Sequence, residues 1–125
     1  MKYRFFYTDY CEGKSIPGTE PWEVDKAQIL HSMDCVLHMP DNFLGILNDK
    51  DQCLQFRVNK DRSIQIDIPI LRNGLFAGSK TTIAPLRECL SLVSSLDGSE
   101  DFPKLLPEDT FDPDDTFQKS KPNPK

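Results

Sequence analysis

The chain has 125 residues, with 20 acidic and 15 basic side chains giving a net charge of −5, and 38% of it is apolar. That length suits one domain that buries a core without staples, plus a tail. No apolar run approaches the ~20 residues of a membrane helix, and an acidic balance argues against direct nucleic-acid binding, which needs Lys and Arg to neutralise phosphates.

In chain order, "KYRFFYTDY" is rich in aromatics and predicts a first strand, closed by the Gly and Pro of "CEGKSIPGTE". A helix is expected from Pro21 to about Met33, with Thr19 as N-cap and Glu20 and Glu23 at the positive end of the dipole. Trp22, Ile29, Leu30 and Met33 then share one face, with Trp22 as an anchor in the core.

"FLGIL" reads as a strand, "NDKDQ" as a turn and "CLQFRV" as the returning strand. Leu54, Phe56 and Val58 point one way and Gln55 and Arg57 the other. After "NKDR" the alternation resumes with Ile64, Ile66 and Ile68 against Gln65 and Asp67. Asn73-Gly74 marks a further turn into "LFAGS", and Pro69 places the end of its strand at an edge or an irregularity.

A second helix is expected in "TIAPLRECLSLVSSLDG", with Ile83, Leu86, Leu90 and Val93 as its apolar stripe, Cys89 and Leu96 beside it, and Gly98 as its stop. The fold class that follows is α+β, with an antiparallel meander of four to five strands and two helices on one face. The sheet's other face is expected to be wet. Residues 1–98 form the domain. Residues 99–125 form an acidic, proline-rich tail, partly docked through Phe102, Leu105, Leu106 and Phe111 and disordered at its end.

Residues 97–125 hold eight acids against four lysines, which leaves the first 96 residues close to neutral. The balance favours a basic partner. Nothing at the start resembles a signal peptide, so a soluble, cytoplasmic protein is expected.

Catalytic chemistry finds little footing. His31, Cys35 and His38 lie within eight residues, but H-x3-C-x2-H is no common zinc pattern and no CxxC pair is present, so no metal and no cofactor are expected. Cys11, Cys35, Cys53 and Cys89 are scattered and read as reduced thiols. "NGLFAGSKTT" lacks the residue order of a phosphate-binding loop. The remaining candidates are contact residues: Asp49 and Asp51 at a hairpin turn, Gln55 and Arg57 on the wet face, and Asp112, Asp114 and Asp115 in the tail. The bland reading of the turn acids is local, since Asp bonds the backbone two residues on.

"PWEVDKAQILHSMD", "NFLGILNDKDQCLQFRV" and "SIQIDI" together resemble the first-numbered family of immunity proteins from bacterial polymorphic toxin systems. The counterparts are Trp22, residues 43–47, the hairpin of residues 48–51, and Leu54-Gln55 opening the next strand, over about residues 20–97. The usual Asp-Gly turn is here "NDKDQ", and the tryptophan that often ends the family's last segment is missing from "FPKLLPEDTF". The resemblance implies a non-catalytic monomer or weak dimer that neutralises a cognate basic toxin domain, a nuclease or nucleic-acid deaminase, inside the producing cell. A small acidic adaptor or secretion chaperone is the alternative, and a small enzyme using its Cys and His residues the second alternative.

Overall fold

Alternation over residues 53–68 becomes the centre of the molecule. In the computed structural model, which describes residues 3–113, it forms strands β5 (Cys53–Val58) and β6 (Ile64–Arg72). They pair antiparallel, with Phe56 opposite Ile66 and Val58 opposite Ile64. Around them lie β1 (Tyr3–Asp9), β2 (Lys14–Ile16), β3 (Trp22–Val24), β4 (Phe43–Leu47), β7 (Leu75–Ala84) and the short β8 (Phe111–Asp112). All pairings are antiparallel and run β2-β1-β4-β5-β6-β7-β8, with β3 also on β1. The class is α+β, with eight strands where four to five were expected.

Two helices, α1 (Lys26–Val36) and α2 (Leu86–Ser94), cover one face. Beneath them the registered rows Phe5–Ile46–Leu54 and Tyr7–Leu44–Phe56–Ile66 form the core, joined by Ile29 and Met33 of α1 and Cys89 and Val93 of α2. Period-2 burial on the strands meets period-3.6 burial on the helices along one contiguous apolar layer.

The first helix begins later than the sequence suggests. Trp22-Glu23-Val24 is a strand that pairs with Phe5, Arg4 and Tyr3, and Trp22 is 59% exposed rather than an anchor in the core. An aromatic and a β-branched residue beside an open edge of β1 gain ladder hydrogen bonds that a helix starting at Pro21 would forfeit. Asp25, not Thr19, is the N-cap, its carboxylate accepting from the Gln28 N–H at 2.9 Å.

The second correction has the same cause. β7 continues through Ala84, so Ile83 is an exposed strand residue opposite Gln65. Pro85 caps α2, whose buried line is Cys89 and Val93, with Leu86 and Leu90 half-buried beside it.

Residues 99–113 are part of the domain's packing. Phe102 is fully buried, and Lys80, whose side chain is 6% exposed, donates to the carbonyls of Pro103 (2.7 Å) and Leu106 (3.1 Å) and to Glu108 (2.9 Å).

The outer face of the sheet is drier than expected. Phe6 lies flat there because Gly45 opposite has no side chain; an added Cβ would collide with the ring. Asp67 is 1% exposed and Ser79 fully buried on this same face.

Candidate binding surface

Asparagine at a strand end followed by short polar residues favours a turn, because its side chain can bond the backbone just beyond it. Asn48, buried at the end of β4, does this. Its Oδ1 accepts from the N–H groups of Lys50 (3.0 Å) and Gln52 (2.9 Å). Its Nδ2 donates to Gln52 Oε1 (2.9 Å) and to the Glu100 carbonyl (3.2 Å), tying the β4–β5 turn to the loop after α2. Gln52 adds two bonds to the same loop: its Nε2 donates to Asp101 (2.5 Å) and its Oε1 accepts from the Phe102 N–H (2.9 Å).

The result is one hydrogen-bonded unit at one end of the sheet. It gathers Asp49, Asp51, Asp97, Glu100 and Asp101. Asp51 sits in a left-handed conformation (φ 60°) and pairs with Arg4, which also donates to the Asn48 carbonyl at 3.1 Å. Asp97 accepts from the Ser99 N–H (3.0 Å) and hydroxyl (2.7 Å), and these bonds hold its carboxyl below the usual range. Tyr3 donates to Glu100 across 3.4 Å; burial, then the Glu100 charge, pushes its phenol up to about 12.

The sequence-derived candidates therefore divide. Asp49 and Asp51 stand in this unit, Asp49 exposed in the turn. Gln55 and Arg57 are half-buried on the outer face, where Gln55 donates to Cys53 Sγ (3.4 Å) and its Oε1 is buried without a hydrogen-bond partner. Asp112 stands across β6 and β7 from β5, in β8 opposite Ser79. Asp114 and Asp115 lie outside the described residues. Glu100 and Asp101, which the sequence places only in an acidic run, are the tail acids brought to the hairpin.

A second hairpin ends at the same end of the sheet, since β4 and β6 both run toward it. Its turn, Asn73-Gly74, has positive φ at both residues (54° and 80°), the geometry of a tight type I′ connection. Leu71 (61% exposed), Leu75 (72%) and Phe76 (37%) crowd around it. The sequence signals the turn. The exposure of these three residues was not legible, because apolar alternation reads as a buried face.

The thiols and imidazoles are spread over the fold, with one close pair. Cys35 Sγ and His31 Nε2 are 3.7 Å apart on the exposed side of α1, and His38 bonds the Asp34 carbonyl one turn back. Among the described residues no group of three or more His, Cys, Asp or Glu side chains is placed to hold a metal. Burial pushes the Cys53 and Cys89 thiols up to about 12, which keeps them protonated and poorly nucleophilic near neutral pH. All four cysteines are free, and no described helix is long and apolar enough to cross a membrane.

No protein-family model, curated protein or solved structure matches the chain.

Proposed function

We propose that the chain is a bacterial immunity protein, a binder rather than an enzyme. On this reading it associates with a cognate toxin domain, a nuclease or nucleic-acid deaminase, and covers its active site or substrate cleft in the cytoplasm of the producing cell. The observation that supports this is the acidic end of the sheet. Five carboxylates stand on the 48–52 turn and the 97–101 loop, segments joined by hydrogen bonds across 50 positions, with Arg4, Lys26 and Lys50 as the neighbouring cations. A domain that acts on a polyanion carries a basic cleft, so such a surface steers its association. Because the turn is already ordered, little conformational entropy is lost on docking.

The test uses as probe the C-terminal domain of a large toxin-like protein encoded by a gene that neighbours this one. A tight 1:1 complex is expected, with an association rate that falls as salt rises. Substituting Asp49→Asn together with Asp51→Asn should leave the fold intact and slow association by about tenfold at low salt. No complex, or a rate indifferent to both salt and these substitutions, would refute the acidic-surface reading.

A further inference from the structure

His31 and Cys35 stand one turn apart on the exposed side of α1, and that spacing stacks their side chains over one another. Cys35 Sγ and His31 Nε2 are 3.7 Å apart. On a tetrahedral zinc, a sulfur at about 2.3 Å and a nitrogen at about 2.0 Å lie about 3.6 Å from each other. The pair therefore has the bite of two zinc ligands with no change of backbone. A thiol–imidazole hydrogen bond fits the same space, and its proton is what a metal would replace. His38, the third residue of the sequence cluster, bonds the Asp34 carbonyl instead.

The pair lines a groove of about 440 Å³ between α1 and the turn after β1. Asp9 fixes that turn: its Oδ1 accepts from the N–H groups of Cys11 and Glu12, both at 3.1 Å, and from Asn42 Nδ2 at 3.0 Å. Two ligands hold zinc weakly, and among the described residues no third His, Cys, Asp or Glu is placed to complete the set. The exposed positions of α1 are Ala27, Gln28, His31, Asp34 and Cys35, so no long charged side chain keeps a second helix away from the pair.

We infer that His31 and Cys35 form half of a zinc site that a second copy of this chain completes, giving a tetrahedron of two histidines and two cysteines between two α1 helices. Cys35 gives up its thiol proton to solvent, and His31 binds through Nε2 while Nδ1 keeps its proton. Ligand count selects the occupant. A two-fold axis beside α1 sets the same sulfur and nitrogen opposite themselves, which supplies the two missing donors with the softness of the first two. The groove's rim carries both an acid, Glu12, and a base, Lys14, so copy against copy does not force like charges together. The inference stands apart from the immunity reading.

The experiment uses the full chain alone, in a thiol-free reductant that keeps every cysteine reduced. Sedimentation with Zn²⁺ should show a dimer holding one zinc per two chains, and with EDTA a monomer. Co²⁺ in place of Zn²⁺ should give a thiolate-to-cobalt absorption band. Cys35→Ser should abolish band and dimer, His31→Gln should weaken metal binding at least about tenfold, and Cys11→Ser should match the parent. Without metal all four proteins should melt alike, since the three positions are exposed. A parent that gives no cobalt band overturns the inference and leaves a thiol–imidazole hydrogen bond only. One zinc per monomer, or a band lost in Cys11→Ser, would place the remaining ligands within one chain and overturn the shared site. A dimer indifferent to EDTA and to Cys35→Ser overturns it as well, and assigns association to another surface.

Discussion

Lys80 offers a direct test of how the C-terminal segment is held. Its ammonium is withdrawn from water on the core face of β7, with three acceptors for its three donors: two main-chain carbonyls and the Glu108 carboxylate. Glu108 itself is 90% exposed, so its pairing is screened by solvent and the carbonyl bonds should carry the stability. Lys80→Met keeps most of the apolar stem and removes the donors. Leaving two partly buried carbonyls unsatisfied costs roughly 1–3 kcal/mol each, so a total of about 2–6 kcal/mol is expected. With a urea dependence of ~2 kcal/mol/M, the midpoint should drop by about 1–3 M. Limited proteolysis should also cut between residues 99 and 113, which the parent resists. Glu108→Gln should leave the midpoint nearly unchanged. If Glu108→Gln loses as much as Lys80→Met, the ion pair and not the carbonyl latch holds the segment, and this reasoning is wrong.

Gly45→Ala places a methyl into the Phe6 ring and should cost about 1–3 kcal/mol in denaturant melts, a loss that Phe6→Leu in the same chain should partly relieve. Met33→Ala in the buried row of α1 should cost roughly 2–5 kcal/mol, whereas Trp22→Ala should stay within about 0.5 kcal/mol; equal losses would put Trp22 back in the core. The pH dependence has two limbs. Asp97, held low by its Ser99 hydrogen bonds, favours the folded state above its ordinary value of 3.8, and that contribution is lost as pH falls through the depressed value. Tyr3 is raised from 10.0 to about 12, so the folded state keeps a proton the unfolded chain releases, and stability should decline as pH rises through that window. Thermal melts should show this alkaline decline reduced in Tyr3→Phe; an unchanged slope would remove Tyr3 as its cause.

The meander was legible because its signal is local. Leu54, Phe56 and Val58 and then Ile64, Ile66 and Ile68 alternate without interruption, and a sheet covered on one side turns that alternation directly into burial. The errors fall where two periods fit equally well. Ile83 is three residues before Leu86, as a helical stripe requires, and two after Thr81, as a strand requires. Pairing with β6 decides for the strand. "WEV" is too short to carry either period, and its state is set by β1, about 20 residues away. Asp49 and Asp51 could be read as turn residues, but the bond from Asn48 to the Glu100 carbonyl spans 52 positions and leaves no mark in local sequence.

That long-range bond also shapes the surface proposed for contact. A wet outer face would have made Gln55 and Arg57 the natural platform. Phe6 and Phe43 instead meet edge to face there, 6.5 Å between centroids, and Asp67 and Ser79 are withdrawn from solvent. Groups withdrawn from solvent on that face are not presented to a partner. The end of the sheet differs in each respect. Its carboxylates are presented on turns whose main-chain bonds are internally satisfied, and its apolar side chains project where no element of the described chain covers them. Docking there would leave the internal hydrogen bonds of the turn intact. On the proposed reading the sheet serves as the rigid base that holds the 48–52 turn against the 97–101 loop, and that end of the sheet is where recognition is to be sought.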